Sequence, residues 1–266
     1  MVIDGKKIAE EIIAELKKLP KPKKFLAAFL VGENPASVSF LKQKEQVAKE
    51  LGIDFRLYKF PAEIKRDELR KEILKIVEHK TCGGAIVQLP LPEDINKHYV
   101  LNVIPREKDI DVLGERALGA FYTGRNEILP PAVGVVEKIL QTSNFQPQTK
   151  KVAVVGLGFL VGKPIATWLI GQTKEIYLLD EGSDLKILKE ADLVISGVGK
   201  ANLFSSKDLK ENALVIDFGY SVQDAKISGD FDSLKNGNIS YTPTPGGTGP
   251  ILVAKLFENF YKLNEE

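Results

Sequence analysis

A glycine-rich stretch, VVGLGFLVGKP at residues 154–164, has the spacing of a loop that binds a phosphate group. Gly156, Gly158 and Gly162 leave room for a ligand, although the third glycine comes one residue later than in the G-x-G-x-x-G pattern. An apolar strand-like run precedes the loop, and a helical pattern follows it with its first amides available to a pyrophosphate. The stretch therefore predicts a dinucleotide site, and a purely structural tight turn is the alternative.

An acidic residue ends the next predicted strand, EIYLLD at residues 175–180. Asp180 follows Gly162 by about twenty residues, the separation expected of an acid that hydrogen-bonds the adenosine ribose. A carboxylate at this position accepts hydrogen bonds from both ribose hydroxyls and repels a 2′-phosphate, which favours NAD over NADP. The alternative is that Asp180 caps the turn that follows it, since acids commonly end strands at turns.

Composition limits the class of protein. The 266 residues suffice for two domains, and 44% hydrophobic with 27% charged residues is typical of a globular protein. A net charge of +1 without a basic run argues against a nucleic-acid partner. The single cysteine, Cys82, excludes an internal disulfide and fits a reducing compartment. Charges scattered through the N-terminal segment do not fit a signal peptide, and no apolar run approaches the ~18 residues of a membrane span, so we predict a cytoplasmic protein without a membrane partner.

Strand-like and helix-like segments alternate along the chain, which predicts an α/β fold with mostly parallel sheets. Asn34 and Pro35 have the residue types of a helix cap and a first helical position. The polar segment 141–149 has no periodicity, and we place a domain boundary there. The predicted strands cover 25–32, 55–60, 83–92, 151–156, 175–180, 192–198 and 213–219, and helices are predicted over 8–16, 33–53, 66–78, 162–168 and 251–263.

Two histidines and the cysteine do not form a metal-binding pattern. His79, Cys82 and His98 show no repeated ligand spacing, and the first two straddle a predicted helix end. We therefore predict no metal site.

Five stretches occur in a fixed order along the chain: ENPASVSFLKQK (33–44), GGAIVQLPLP (83–92), PREKDID (105–111), VVGLGFLVGKP (154–164) and TPTPGGTGP (242–250). Together with the opening IDGKKIAEEI, they closely resemble the bifunctional methylenetetrahydrofolate dehydrogenase/methenyltetrahydrofolate cyclohydrolase (FolD) family over essentially the whole length. The resemblance implies two α/β domains: a folate-binding catalytic domain of residues 1–140 plus 250–266, and a Rossmann-type NAD(P)-binding domain of residues 141–249 with a parallel sheet. It places the folate in a cleft between them and implies a homodimer.

The resemblance also implies an activity of one-carbon metabolism. That activity is oxidation of 5,10-methylenetetrahydrofolate by NAD(P)+ to the methenyl compound, which is then hydrolysed to 10-formyltetrahydrofolate. Lys44, Gln88 and Asp111 match the family's catalytic residues, whereas in isolation Lys44 and Asp111 would be read as solvated. The implied substrate-binding residues are Phe40, Val87, Leu89, Pro245, Gly246 and Gly249, and the cofactor-binding residues are Gly156, Leu157, Gly158, Gly162, Asp180, Glu181 and Tyr220.

The implied roles follow from the reaction. A lysine whose pKa is lowered by its surroundings can act as a base or activate water, so Lys44 is assigned to proton transfer. Gln88, an amide between apolar residues, is expected to hold the Lys44 amine, because a buried amide needs polar partners. Asp111 is expected to anchor the polar edge of the pterin.

Departures from the family pattern affect the hydrolytic step. Phe40 stands where the family has tyrosine, one helical turn before Lys44, so the ring is kept and the hydroxyl is lost. The family's P-C-T-P has become LPPA over Leu129–Ala132, which removes a thiol and a hydroxyl. We therefore expect weak cyclohydrolase activity. The alternatives are a dehydrogenase without cyclohydrolase activity, a non-catalytic nucleotide-binding relative and a Rossmann dehydrogenase for another small substrate, although VQLPLP argues against the last.

Other departures affect the choice of dinucleotide. Leu157 and Gly158 replace the arginine and serine that receive the NADP 2′-phosphate in the family, and Glu181 replaces a further serine beside Asp180. A phosphate without a cation and next to two carboxylates is electrostatically unfavourable. We therefore predict a preference for NAD, unless a lysine such as Lys200 reaches the phosphate from elsewhere.

Overall fold

The computed structural model describes residues 1–223, 226–233 and 237–265. The helices are α1 (Gly5–Leu16), α2 (Pro35–Leu51), α3 (Arg66–Val77), α4 (Lys97–Leu101), α5 (Glu115–Tyr122), α6 (Pro131–Thr142), α7 (Gly162–Leu169) and α8 (Thr248–Lys262). The strands are β1 (Phe25–Val31), β2 (Phe55–Phe60), β3 (Cys82–Val87), β4 (Lys151–Val155), β5 (Glu175–Leu179), β6 (Leu193–Ser196), β7 (Phe204–Ser205), β8 (Leu214–Asp217), β9 (Ser221–Gln223), β10 (Lys226–Ser228), β11 (Phe231–Asp232) and β12 (Ser240–Tyr241).

The chain divides into two compact units, both α/β with parallel sheets. Met1–Ala9 and Ala132–Leu252 form one, called here the β4 unit after the first strand of its main sheet along the chain, and Glu10–Pro131 with Val253–Glu266 form the other, the β1 unit. The α/β fold class predicted from the sequence is confirmed. The segment 141–149 contains the end of α6 and a short 3-10 turn at Pro147–Thr149.

The β1 unit contains a three-stranded sheet in the order β2-β1-β3, in which both strand pairs are parallel. Every residue of the central strand β1 is buried, as expected for a parallel strand covered on both faces. Helix α2 begins at Pro35, where the Asn34 side chain accepts the Ser37 amide, and it ends at Gly52 with φ +67°. The predicted cap and first helical residue are thus confirmed. Strand β3 ends at Val87, and the proline-containing segment 89–92 after it is irregular.

The β4 unit contains a five-stranded parallel sheet in the order β12-β8-β6-β4-β5. Because these strands run in one direction, the loops after β4, β6 and β8 emerge at the same edge of the sheet. In an open parallel sheet this carboxyl edge is where ligands bind. The N-terminal segment joins the unit as well, since the Ile3 amide donates to the Tyr241 carbonyl across 2.8 Å.

Some elements lie outside the sequence prediction. They are the helices α4, α5 and α6, the strand β12, the antiparallel pair β9 and β10, and the parallel pair β7 and β11. The strands in these pairs have two or three residues, too few to show an alternating pattern. Within the described ranges, no helix is both long and apolar enough to cross a membrane.

Candidate functional site

Helix α2 carries a lysine on its buried face. The buried residues of the helix recur every three or four positions, and Lys44 stands between Leu41 and Ala48 in that stripe. Only 3% of Lys44 is exposed. Burial lowers the pKa of its ammonium group, and the negative charge of Asp111 partly opposes this shift. The fold therefore produces an amine that gives up its proton more easily than a surface lysine.

Gln88 holds this amine by a hydrogen bond. It is the first residue after β3, and its backbone amide donates to the Phe29 carbonyl across 2.9 Å. Its side chain is engaged at both ends: Lys44 Nζ donates to Gln88 Oε1 at 3.0 Å, and Gln88 Nε2 donates to the Leu89 carbonyl at 2.8 Å. The second bond fixes which amide atom points at the lysine. A neutral acceptor therefore faces Lys44.

The two acids of the KDID segment have different surroundings. Asp109 is buried, and its Oδ2 accepts the amides of Leu113 and Gly114 at 3.0 and 2.8 Å. Burial raises the pKa of Asp109 to about 7. Asp111 is partly buried, and burial also raises its pKa, while the positive charge of Lys44 opposes the rise. Asp109 thus organises the turn, and Asp111 lies beside the lysine.

Phe40 completes this group on the same face of α2. Lys44 Nζ lies 4.8 Å from the centroid of the Phe40 ring, within range of a cation–π contact. The neighbouring residues predicted to contact the substrate differ in accessibility, since Val87 is buried and Leu89 is partly exposed. The structure thus brings Phe40, Lys44, Gln88 and Asp111 together in the β1 unit.

Two glycines of the loop in the β4 unit lie so close to neighbouring atoms that no side chain would fit on them. A Cβ atom on Gly162 would lie 1.9 Å from the Gly156 carbonyl oxygen, so this position accepts only glycine. Gly156 has φ +83°, and a Cβ there would meet Val198 Cγ2 at 2.9 Å. A Cβ on Gly158 would meet nothing within 4 Å, so the serine of the family would fit there. Helix α7 then begins at Gly162.

The turn after β5 does not use the Asp180 carboxylate. The Ser183 amide donates to the Asp180 carbonyl, and the Asp180 amide donates to Ser183 Oγ, both at 3.0 Å. Asp184 caps the next element through the Lys186 amide at 3.0 Å. The alternative in which Asp180 caps the turn is therefore not what the structure shows. Asp180 and Glu181 are exposed, and Leu157 in the glycine loop is partly buried.

The remaining predicted binding residues also lie in the β4 unit. Tyr220, which follows β8, is 52% exposed. In the turn before α8, Pro245 is exposed and Gly246 has φ +96°. A Cβ on Gly249 would meet nothing within 4 Å. Tyr220 and Pro245 are therefore open to a ligand of this unit.

Two buried carboxylates at the carboxyl edge of the β4 sheet were not predicted as site residues. Asp217 accepts the amides of Gly219 and Phe231 at 2.6 and 3.0 Å, and burial raises its pKa to about 6. Asp230 accepts from Ser196 Oγ and from three consecutive amides after β6. The end of the predicted strand 213–219 was a signal for Asp217, whereas nothing in the sequence around Asp230 marks it.

The side chains of His79 and Cys82 make different contacts. His79 Nδ1 is 2.8 Å from Thr81 Oγ1, and Cys82 is buried with Sγ 3.4 Å from the Gly84 carbonyl oxygen. In the part of the chain that the structure describes, no three His, Cys, Asp or Glu side chains form a group that could hold a metal ion.

Comparison with known proteins gives a consistent result over the whole chain. Residues 3–111 match the catalytic domain of the tetrahydrofolate dehydrogenase/cyclohydrolase family, and residues 130–266 match its NAD(P)-binding domain. The bifunctional protein FolD of Bdellovibrio bacteriovorus is 33% identical, with 100% of this chain and 97% of that protein covered.

Solved structures give the same result. The bifunctional FolD enzyme of Campylobacter jejuni superposes with a TM-score of 0.94 at 32% identity, over 99% of this chain and 98% of that one. The Trypanosoma brucei enzyme, complexed with NADP and an inhibitor, superposes with a TM-score of 0.92 at 27% identity, over 99% of this chain and 96% of that one. The chain belongs to the tetrahydrofolate dehydrogenase/cyclohydrolase family.

Proposed function

We propose that this protein oxidises 5,10-methylenetetrahydrofolate with a nicotinamide dinucleotide and hydrolyses the methenyl product to 10-formyltetrahydrofolate. The observation that carries the proposal is the buried Lys44 amine held at 3.0 Å by Gln88. Membership of the family supports it, as do the names of the relatives, which are bifunctional enzymes. In this proposal residues 1–140 and 250–266 serve the folate, and residues 141–249 serve the dinucleotide.

Lys44 moves protons in the hydrolytic step. The methenyl carbon is cationic and is attacked by water, which must lose a proton as the new C–O bond forms. An amine with a lowered pKa is neutral in more molecules near neutral pH, so it can accept that proton. Gln88 keeps the amine in place without adding a charge, because its amide oxygen is neutral. A carboxylate in its place would stabilise the ammonium form.

Asp111 and Phe40 orient the folate. The Asp111 carboxylate is held near Lys44 and is suited to accept the N–H groups at the polar edge of a pterin. Phe40 offers an aromatic face one helical turn from Lys44. An aromatic ring stacked on the face of a flat heterocycle fixes its plane, and an acid at its edge fixes its rotation. Val87, Leu89, Pro245, Gly246 and Gly249 supply further substrate contacts in this proposal.

The glycine loop fits a dinucleotide. Gly156 and Gly162 approach each other so closely that no side chain separates a ligand from the backbone at the start of α7. Such a helix start offers amides to a pyrophosphate. When bound, the dinucleotide supplies the hydride acceptor. Asp180, Leu157, Gly158, Glu181 and Tyr220 surround the adenosine and nicotinamide portions in this proposal.

We further propose that NAD is the preferred dinucleotide. The Asp180 carboxylate is exposed and is not engaged by its own turn, so it is available to ribose hydroxyls. Leu157 and Gly158 have no group that binds a phosphate, and Glu181 adds negative charge. These four residues favour two hydroxyls over a 2′-phosphate.

The decisive experiment measures both activities on the purified protein. Absorbance follows NAD reduction with methylenetetrahydrofolate, and a separate assay without dinucleotide follows methenyltetrahydrofolate hydrolysis. Lys44→Met is expected to reduce hydrolysis at least a hundredfold, a typical loss for a general base. Lys42→Met, which changes an exposed lysine of the same helix, is the control. Near-normal hydrolysis by Lys44→Met rejects the role of Lys44, and a wild type without either activity rejects the function.

The assembly and location remain predictions. The family resemblance favours a homodimer, and the composition favours the cytoplasm. Light scattering of the purified protein, expected at twice the 29.4 kDa chain mass, tests the first. Fractionation of the source cells tests the second.

A further inference from the structure

One buried carboxylate gathers the loop that follows strand β6. Asp230 is 0% exposed. Its Oδ2 accepts the Ser196 hydroxyl at 2.6 Å and the Val198 amide at 2.8 Å. Its Oδ1 accepts the amides of Gly199 and Lys200 at 2.9 and 2.8 Å. Four donors from one short segment therefore converge on a single side chain.

This segment lies against the glycine loop. The Gly197 amide donates to the Val155 carbonyl at 2.9 Å, which ties the segment to the last residue of β4. A Cβ on Gly197 would meet Val161 Cγ1 at 2.8 Å, and a Cβ on Gly156 would meet Val198 Cγ2 at 2.9 Å. The backbone position of residues 197–200 thus sets the space in which Gly156 and the rest of its loop lie.

Consecutive backbone amides that point into one concavity form a typical anion site. Here the anion is part of the protein, so the amides of residues 198–200 are satisfied without a ligand. Asp230 also excludes side chains nearby, since a Cβ on Gly219 would lie 2.2 Å from its Oδ1. A carboxylate so enclosed has one arrangement available, and it fixes the loop in that arrangement.

We propose that Asp230 is a positioning residue for dinucleotide binding: its carboxylate fixes the loop 197–200, and the loop in turn shapes the glycine loop at the carboxyl edge of the β4 sheet. Asp230 does not contact the dinucleotide in this proposal. The inference rests on the proposed function, because it assumes that the dinucleotide lies at that edge. The proposed role of Asp230 concerns only the dehydrogenase reaction, which needs the dinucleotide, and not the hydrolysis.

The test uses Asp230→Asn in the full-length protein. The amide keeps one acceptor oxygen and turns N–H groups toward backbone N–H groups, so the loop should lose its fixed position. We expect the dissociation constant for NAD, measured by calorimetry, to rise at least tenfold. Hydrolysis of methenyltetrahydrofolate, assayed without dinucleotide, should stay within twofold of the wild type. A purely structural role would instead weaken NAD binding and lower the hydrolysis rate together.

The matched control is Asp192→Asn. Asp192 also accepts a backbone amide, that of Lys151 at 2.9 Å, but at the opposite edge of the same sheet. Its substitution should leave the dissociation constant for NAD within twofold of the wild-type value. An unchanged constant in Asp230→Asn overturns the proposal, as does an equal loss of binding in Asp192→Asn or a parallel loss of hydrolysis in Asp230→Asn.

A milder variant covers the case in which Asp230→Asn does not fold. Ser196→Ala removes only the 2.6 Å hydrogen bond to Asp230 and should raise the dissociation constant for NAD about threefold, which in free energy is about half of the ~1.4 kcal/mol of a tenfold change. No rise in that variant overturns the proposal. The wild type distinguishes failure of the proposed function from failure of the role of Asp230. If the wild type binds neither NAD nor NADP, the proposed function is wrong. If the wild type binds NAD and the variants bind it equally well, only the role of Asp230 is wrong.

Discussion

Lys44 Nζ donates a hydrogen bond to Gln88 Oε1 at 3.0 Å, and both side chains are buried. The lysine is thus held by a neutral acceptor, with the Asp111 charge as the opposing influence on its pKa. Burial lowers the pKa, and a hydrogen-bonded carboxylate in place of Gln88 would raise it. We therefore expect a change of charge at residue 88 to alter the protonation state of Lys44.

Replacing Gln88 by glutamate should move the pH dependence of hydrolysis. The Gln88→Glu carboxylate would favour the ammonium form of Lys44, so the acidic limb of kcat/KM should shift to higher pH by about one unit or more. Rates of methenyltetrahydrofolate hydrolysis between pH 6 and pH 10 measure the shift. Gln43→Glu adds the same charge at an exposed position of α2 and should leave the limb in place. Equal shifts in the two variants would contradict the assignment.

Restoring a hydroxyl at residue 40 should favour the hydrolytic step. Phe40→Tyr keeps the ring near Lys44 and adds a group that can donate and accept a proton. We expect the hydrolysis rate to rise severalfold while the dehydrogenase rate changes less than twofold. The ratio of the two rates, measured on one preparation, is the internal control. A change of equal size in both rates, or in neither, argues against a proton-relay role for the missing hydroxyl.

Asp109 should make the stability of the β1 unit depend on pH. Its folded pKa of about 7 exceeds the unfolded value of ~3.9, so the folded state binds the proton more tightly. The stabilisation is fully present below pH ~4 and is lost as pH rises toward 7. Because both amides that it holds donate to Oδ2, an asparagine can reproduce the protonated form.

Asp109→Asn should therefore gain stability relative to the wild type as pH rises from 4 to 8, by up to about 4 kcal/mol. Hydrogen exchange of β3 amides reports the free energy of opening in this unit. Asp94→Asn, at an exposed position of the same unit, should show no such trend. A constant difference between Asp109→Asn and the wild type over this pH range would show that Asp109 is ionised throughout.

Much of the fold could be predicted because its signals are local. Helix α2 begins where Asn34 and Pro35 indicate, and apolar runs mark the buried strands. The burial of Lys44 also had a local signal, since it lies at helical spacing between Leu41 and Ala48. Two-residue strands such as β7 have no pattern of their own and depend on a distant partner.

The polar partners of the acidic residues could not be predicted, in contrast to the hydrogen bond between Lys44 and Gln88. Asp109 and Asp111 are two residues apart in one charged segment, and only the fold turns one toward backbone amides and the other toward Lys44. Asp230 collects donors from a segment 30 to 34 residues earlier in the chain. The Ser183 hydroxyl, rather than the Asp180 carboxylate, bonds the amide at the start of its turn.

The turn after β5 also leads to a prediction on cofactor choice. Because the Asp180 carboxylate is exposed and not used by the turn, it can accept both ribose hydroxyls of NAD. Two unit charges 4 Å apart repel by about 4 kcal/mol at an effective dielectric of 20, and solvent at an exposed site reduces this. A tenfold preference needs only ~1.4 kcal/mol, so we expect kcat/KM for NAD to exceed that for NADP at least tenfold.

The reciprocal variant combines Leu157→Arg with Asp180→Ser. It supplies a cation and a hydroxyl for the 2′-phosphate and removes one repelling charge, so the preference should reverse toward NADP. Leu160→Arg places the same charge at an exposed position of the same loop and should change the NADP to NAD ratio less than threefold. Lys200→Ala tests the competing source of a cation, because a large drop in NADP use would show that Lys200 reaches the phosphate. If the wild type prefers NADP, the role given to Asp180 is wrong, whereas the proton-transfer role of Lys44 does not depend on it.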